Sequence, residues 1–165
     1  MKSIKEIYRI GRGPSSSHTM GPEAAAKMFI GEFPSAERYE AVLYGSLAKT
    51  GKGHGTDRML RETFAPRTLD IKLDLTATDI PHPNTLDFTA FDKNGNVIGK
   101  RRVLSVGGGA IEVEGRNDAE PPEVYPFENF AQIKEYCKKE SIRIPDLVER
   151  FEGVEIWQYL DRVWE

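Results

Sequence analysis

The sequence has one cysteine, Cys137, among its 165 residues. A single thiol excludes a disulfide framework, and it equally excludes a metal cluster held by thiolates of this chain alone. No run of about 20 apolar residues occurs, so no helix is expected to span a membrane. The first residues also lack the apolar stretch of a secretion signal. We therefore expect a soluble protein of the cytoplasm with no membrane partner.

An excess of charge of either sign is also missing. The chain has 23 Lys and Arg against 26 Asp and Glu, which gives a net charge of −3. This balance offers no broad basic surface for a nucleic-acid backbone, so no nucleic-acid partner is expected. The composition is 39% hydrophobic and 30% charged. Such values are typical of a globular protein and exclude a disordered or fibrous one.

The hydrophobic pattern predicts an α+β fold, in which a mixed β-sheet is packed by two or three helices and followed by a helical C-terminal tail. Pro22 suits the first turn of a helix that ends before Phe33-Pro34-Ser35. Residues 38–44 are expected to form a strand. Thr56 is expected to cap a second helix.

From about residue 69 the apolar residues alternate with polar ones, which predicts strands near residues 71–75 and 86–90. Asn94-Gly95 is a strong hairpin signal between the second of these strands and a return strand at about residues 97–106. The sequence Gly107-Gly108-Gly109 interrupts that strand, which then resumes at residue 111. Glycines in a strand indicate a bulge or a close approach of the backbone to a ligand.

Residues 1–115 are expected to form the α+β core that lines the functional site. Residues 116–165 are expected to contain a proline-rich linker, up to about residue 126, and C-terminal helices that pack on this domain or lead out of it. The apolar stripe of the last helix is expected to comprise Ile156, Tyr159, Leu160, Val163 and Trp164.

The three histidines carry most of the chemical information. His18 follows three serines, His54 lies between two glycines, and His82 lies between two prolines. Each is expected on a loop or turn at the end of a regular element, where functional residues concentrate. Imidazole is also the side chain best suited to proton transfer near neutral pH. The alternative is three solvated histidines without a function. A zinc site is not favoured, because the spacings match no compact zinc pattern.

Residues 13–19 contain four hydroxyl side chains directly before the predicted first helix. We expect this segment to be irregular. Hydroxyls and backbone N–H groups at a helix N-terminus suit a carboxylate or a phosphate. A simple capping loop has the same composition, so both interpretations stay open.

Residues 45–53 are similar to a nucleotide-binding loop but do not match one. Five residues, rather than four, separate Gly45 from Gly51-Lys52, and Gly53 stands where a Ser or Thr is required. We interpret the glycines beside His54 as allowing a close approach to its imidazole. Ser105 lacks the Gly-x-Ser-x-Gly context, so a hydrolase nucleophile is not supported.

Four segments together carry a family resemblance. They are residues 13–22 (Gly-Pro-Ser-Ser-Ser-His-Thr-Met-Gly-Pro), 44–57 (Tyr-Gly-Ser-Leu-Ala-Lys-Thr-Gly-Lys-Gly-His-Gly-Thr-Asp), 82–85 (His-Pro-Asn-Thr) and 105–109 (Ser-Val-Gly-Gly-Gly). With these segments the chain resembles the β domain, or β chain, of the bacterial iron–sulfur-dependent L-serine dehydratases. The resemblance extends over roughly residues 5–165. The β-domain fold is also similar to an allosteric substrate-binding domain of some phosphoglycerate dehydrogenases.

The resemblance implies that L-serine is the substrate and that pyruvate and ammonia are the products, formed without pyridoxal phosphate. It implies a [4Fe–4S] cluster that acts as a Lewis acid and is held by cysteines of an α domain or subunit, which would be the partner of this chain. This chain alone is expected to bind no metal and to be inactive. It would be either a domain of a single-chain enzyme or a short β subunit. A homo-oligomer is also expected.

The resemblance also implies roles for individual residues, because the family's matching positions line a cleft between the two domains. His54 matches the proposed base for the α-proton of serine. The other implied catalytic residues are Thr56, His82, Asn84 and Ser105. The implied substrate- or anion-binding residues are Ser15, Ser16, Ser17, His18, Thr19 and Gly107.

Two other hypotheses remain. A non-catalytic module that binds serine or an anion as a regulatory effector is the main alternative. A plain oligomerisation domain is the third, and the histidines weaken it because such a domain does not need them.

Overall fold

The computed structural model describes residues 1–117 and 121–165. They form two compact units: residues 11–117, and residues 1–10 together with residues 121–165. The predicted linker falls partly on residues 118–120, which lie outside the described residues.

The larger unit is built on a five-stranded mixed sheet. Its strands are β1 (Arg38–Tyr44), β2 (Thr68–Asp74), β3 (Thr85–Phe91), β4 (Val97–Gly107) and β5 (Ala110–Val113). Their order across the sheet is β2-β1-β3-β4-β5. β1 and β2 are parallel, and the other neighbours are antiparallel. The predicted α+β fold with a mixed sheet is therefore confirmed.

Three helices, α1 (Gly21–Glu32), α2 (Gly45–His54) and α3 (Thr56–Phe64), pack together with the sheet around one apolar core. Phe29 of α1 and Phe64 of α3 are fully buried with Phe88 of β3. The rings of Phe29 and Phe88 stack with their centroids 5.3 Å apart. Each such aromatic side chain contributes about 2–3 kcal/mol by burial. This core fixes the positions of the helix ends that carry the histidines.

The segment from residue 45 to residue 54 differs most from the expectation. It is helical, so His54 is the last residue of α2 and does not lie in a loop. The helix forms despite its glycines because Leu47, Ala48 and Gly51 are buried on one face. Gly55 then ends the helix in a left-handed conformation with φ 76°. Tertiary packing thus overrides a low local helix propensity.

The glycines at residues 107–109 reverse the chain. β4 and β5 form an antiparallel hairpin whose register shifts between Ser105 and Gly107. The expected bulge is therefore present, but the second segment runs back along β4 and does not continue it. All three glycines have positive φ, between 57° and 105°, which explains why this tight turn requires them.

The smaller unit contains α4 (Phe130–Glu140), α5 (Ile144–Glu152) and α6 (Glu155–Trp164). Its apolar cluster is centred on Tyr125, Phe127 and Leu147. The predicted stripe of α6 is only partly correct, because Ile156 is fully buried whereas Trp164 is 92% exposed. Among the described residues, no helix is both long and apolar enough to cross a membrane.

Candidate functional site

The serine-rich segment forms a regular turn, contrary to the expectation of an irregular loop. Ser16–Met20 is a five-residue π-helical turn that leads directly into α1. Ser15 caps it, since its Oγ accepts a hydrogen bond from the His18 backbone N–H. Thr19 Oγ1 lies within hydrogen-bond distance of the carbonyl of Ser15 and, at 2.6 Å, of that of Arg12, and it can donate its one proton to either. The turn therefore fixes the position of the His18 backbone.

His18 is buried and surrounded by hydroxyl groups. Its Nε2 lies 3.1 Å from Ser46 Oγ and 3.0 Å from Thr50 Oγ1, both on α2. Its Nδ1 lies 3.1 Å from Ser17 Oγ and 3.4 Å from Ser15 Oγ. Hydroxyls can donate or accept, so they satisfy this imidazole in its neutral form. His18 is thus held rigidly between the π-helical turn and α2.

His54 is half-buried and lies beside His18. Its Nδ1 is 2.9 Å from the carbonyl of Thr50. A carbonyl only accepts hydrogen bonds, so Nδ1 carries the proton when the ring is neutral, and Nε2 then presents a lone pair. The Nε2 atom has no hydrogen-bond partner among the described residues. His54 also borders an open cavity of about 430 Å³ that Lys52 and Arg58 line as well. A base with these features can accept a proton from a molecule in that cavity.

The two imidazoles are close enough to influence each other. Their ring centroids are 4.6 Å apart, with the planes tilted by 32°. Burial lowers the pKa of His18, and the neighbouring His54 lowers it further, while the hydrogen bond to Ser46 opposes both effects. His18 therefore favours the neutral form, so a proton arriving on His54 meets no second positive charge there.

The sequence predicted that Thr56 caps α3. In the structure, Gly55 occupies the N-cap position instead. Thr56 is completely buried, and its Oγ1 donates to the His18 carbonyl at 2.6 Å. It therefore supports the turn that carries His18.

A second group of predicted residues lies where β3 begins and β4 approaches its end. The Asn84 backbone N–H donates to His82 Nδ1 at 3.1 Å, and the Ser105 N–H donates to the Asn84 carbonyl at 2.9 Å. Because a backbone N–H only donates, His82 Nδ1 is an acceptor, and its Nε2 carries the proton when the ring is neutral. In the neutral rings, His82 Nε2 is thus a hydrogen-bond donor, whereas His54 Nε2 is an acceptor.

The two groups meet where α2 begins. The Ser46 backbone N–H donates to the Pro83 carbonyl at 2.7 Å. Gly45 has φ 52°, and a Cβ there would lie 2.5 Å from that same carbonyl. Only glycine allows this approach. The segment that holds His82 and Asn84 is therefore fixed to the N-terminus of the helix that ends at His54.

Ser105 is fully buried against the start of α1. A Cβ on Gly21 would lie 2.0 Å from Ser105 Oγ. Ser105 Oγ and Asn84 Oδ1 are both buried and have no hydrogen-bond partner among the described residues. Gly107, at the end of β4, lies beyond the register shift and forms part of the hairpin turn.

Ser46, Thr50 and Gly21 were not among the predicted site residues. Ser46 and Thr50 are four residues apart on one face of α2, so their pairing would have followed from a correct helix assignment. No local signal identifies Gly21, because its role depends on contact with a distant strand.

The residues of this chain do not fit an iron–sulfur cluster. Such clusters are held mainly by several cysteine thiolates, and the sequence has one cysteine. In residues 1–117 and 121–165, no group of three or more His, Cys, Asp or Glu side chains could hold a metal ion.

Comparison with known proteins agrees with the sequence resemblance. Residues 3–65 match the family model described as serine dehydratase beta chain. L-serine dehydratase 2 of Escherichia coli (strain K12) is 30% identical in an alignment that includes all of this chain and 47% of the relative. L-serine dehydratase of Mycobacterium bovis is 31% identical over 91% of this chain and 42% of the relative.

A third relative, L-serine dehydratase of Streptomyces coelicolor, is 43% identical over 42% of this chain and 17% of its own length. The chain thus spans less than half the length of these curated relatives. The family-model match includes the serine-rich turn, His54 and Thr56, whereas His82, Asn84 and Ser105 lie beyond it. Residues 3–65 thus belong to the serine dehydratase beta-chain family, and the chain as a whole is similar to less than half the length of proteins named L-serine dehydratase.

Proposed function

We propose that this chain is the β domain of an L-serine dehydratase, which converts L-serine to pyruvate and ammonia together with an α domain that holds a [4Fe–4S] cluster. Two observations support a divided enzyme. The chain spans less than half of relatives that are named L-serine dehydratase. Its own residues do not fit the cluster, so the ligands would come from the other part of the enzyme.

The pair of histidines supports a proton-transfer role and is the observation that carries this proposal. The α-proton of serine is weakly acidic, so its removal needs a positioned base. His54 offers an Nε2 lone pair at the edge of an open cavity, and the Thr50 carbonyl fixes its tautomer. His54 Nε2 takes the α-proton and the hydroxyl leaves the β-carbon with its electron pair, so that a proton and a hydroxide, together one water, are lost from serine. The resulting enamine tautomerises to an imine, which takes up one water to give pyruvate and ammonia.

The surrounding groups have supporting roles in this proposal. Neutral His18 holds its hydroxyl neighbours Ser15, Ser17 and Ser46 in place, and these hydroxyls offer hydrogen-bond donors to the substrate carboxylate. Lys52 lines the same cavity as His54, and its positive charge attracts the substrate carboxylate. His82 presents an Nε2–H, which suits the donation of a hydrogen bond and not the abstraction of a proton.

The base assignment is tested in the assembled enzyme with His54→Asn. The Asn amide can keep the hydrogen bond to the Thr50 carbonyl but has no basic nitrogen. We expect kcat to fall by about two to four orders of magnitude, the usual contribution of a general base. A rise in KM with kcat unchanged would instead assign His54 to carboxylate binding.

Exchange of the serine α-hydrogen with solvent deuterium gives a second readout, because loss of the base slows proton removal itself. His82→Asn is the comparison variant: its amide can still donate a hydrogen bond, so exchange should fall far less than in His54→Asn. If the His54 variant exchanges and turns over like the unsubstituted enzyme, the assignment is wrong and His82 becomes the candidate.

The division between domains is tested by iron content. The purified chain should be colourless, contain no iron and leave serine unchanged, whereas its mixture with the α partner should form the active enzyme. A brown preparation with a reconstitutable cluster would contradict the proposal.

An effector-binding module is the second candidate. The hydroxyl groups gathered around His18 favour it, because they suit any small carboxylate. A sensor would bind serine without the α partner, and substitution of His54 would change affinity or regulation but not the rate of α-proton removal.

A further inference from the structure

The strand β2 lies at one edge of the five-stranded sheet. It pairs with β1 along its whole length, from Thr68 to Asp74, and its other side faces no strand in the described part of the chain. Among the described residues, one group outside the sheet forms a hydrogen bond with the backbone of β2. The exposed Arg61 side chain donates to the Leu69 carbonyl over a long distance of 3.4 Å. An edge of this length is a template for pairing with another strand.

The apolar side of β2 is incompletely covered by its own unit. Leu69 is buried and Ile71 packs against the core, but Leu73 is 45% exposed. The sequence predicts a half-buried strand with all of its apolar residues inside. Leu73 departs from that expectation. A neighbouring strand would cover it.

The sequence of β2 complements itself in the antiparallel direction. We propose that β2 pairs with β2 of a second copy of this chain, about a two-fold axis that passes through Ile71. In this register Asp70 faces Lys72 of the other copy, twice by symmetry, and Leu69 faces Leu73. The two sheets then join into one continuous sheet, with the helices of both copies on the same face.

Other symmetric registers fit less well. With the axis at Lys72, the two Lys72 side chains face each other, and Asp70 faces Asp74. Like charges that are directly opposite each other destabilise a strand pair. With the axis at Leu73, few residues can pair, because the strand ends at Asp74. The axis at Ile71 uses all seven residues of β2 and opposes only complementary side chains.

The charged face of β2 is already arranged for this contact. Lys72 Nζ lies 2.7 Å from Glu40 on β1, and the Lys72 side chain is 58% exposed. Its ammonium group can therefore contact Glu40 and the facing Asp70 together. Lysine at an edge commonly opposes self-pairing. Here the facing carboxylate removes that penalty.

Disulfide formation tests the register. In a Cys137→Ser background, Ile71→Cys places two thiols directly across the axis, where the Cβ atoms of facing residues lie about 5 Å apart. We expect an interchain disulfide on mild oxidation. Leu73→Cys is the matched control, because its two copies would be four residues, about 13 Å, apart along the strands and cannot bridge. Bridging at residue 73 but not at residue 71 would overturn the register.

Charge exchange tests the pairing without cysteines. Lys72→Asp should raise the dimer dissociation constant about tenfold or more, since two attractive pairs become repulsive. Adding Asp70→Lys restores the opposite charges across the axis and should restore the dimer, although the contact with Glu40 stays lost. Lys100→Asp, on the inner strand β4, should leave the dimer unchanged.

Sedimentation of the full chain gives the readout for these variants, and circular dichroism checks that each one folds. A chain that remains monomeric at about 100 μM, a concentration at which micromolar pairing would be complete, would overturn the proposal. Failure of the double exchange to restore a dimer that Lys72→Asp has lost would also overturn it.

Discussion

Replacing Gly21 by Ala tests how α1 is seated against the sheet. Gly21 has a helical backbone conformation, with φ −62°, so local propensity alone predicts a gain of up to about 1 kcal/mol for Ala. The added Cβ, however, would lie 2.0 Å from Ser105 Oγ and 2.9 Å from Ser105 Cβ. Rotation of the hydroxyl relieves the first contact but not the second. Overpacking of this kind costs about 1–3 kcal/mol. We therefore expect Gly21→Ala to lower the free energy of unfolding by about 1–2 kcal/mol.

Urea denaturation of a matched set measures this effect. Gly31→Ala, in the same helix, is the control, because a Cβ there meets no atom within 4 Å, and it should stabilise the protein by up to about 1 kcal/mol. Combining Gly21→Ala with Ser105→Gly removes both short contacts and should recover most of the loss. Ser105→Ala removes only the hydroxyl and should recover less. If Gly21→Ala stabilises the protein as much as Gly31→Ala does, the close approach of α1 to β4 is wrong.

Three further predictions concern the core and the histidine pair. Thr56→Val keeps the shape of the side chain but removes the buried 2.6 Å hydrogen bond to the His18 carbonyl, so denaturant unfolding should show a loss of about 1–3 kcal/mol. The pKa of His18 is lowered in the folded protein, so the free energy of unfolding should fall as the pH drops below about 6.5. This residue contributes a slope of at most about 1.4 kcal/mol per pH unit, and His18→Asn should flatten the slope. Phe88→Ala removes a ring buried between Phe29 and Phe64 and should lower the free energy of unfolding by about 3–5 kcal/mol. A loss below about 1 kcal/mol in thermal or chemical unfolding would contradict the described core.

The elements that local signals define were predictable from the sequence. β1 begins and ends at the expected residues, Arg38 and Tyr44, and the Asn94-Gly95 turn connects β3 to β4. Each of these predictions depends on alternation or on turn chemistry within a few residues. Pro22 likewise lies in the first turn of α1. Such signals need no knowledge of the rest of the chain.

The remaining features depend on contacts between distant segments. The helix α2 contains three glycines, Gly45, Gly51 and Gly53, and its own propensity is low, so burial of Leu47 in the core is what makes it a helix. The contact between His18 and His54 joins residues that are 36 positions apart in the sequence. No spacing rule predicts that contact, since it arises only when α1 and α2 pack on the same sheet.

The structure also changes the explanation of the glycines around His54. Gly45 has a packing role, because it lets the Pro83 carbonyl approach the start of α2. Gly53 and Gly55 have no such role, since a Cβ at either position would meet no atom within 4 Å. The glycine at the start of the helix therefore fixes the position of His54 relative to His82, and the two glycines beside His54 keep the edge of its cavity free of side chains. The base proposed at His54 must be held in place and still be reached by a substrate, and the two ends of α2 meet these two conditions.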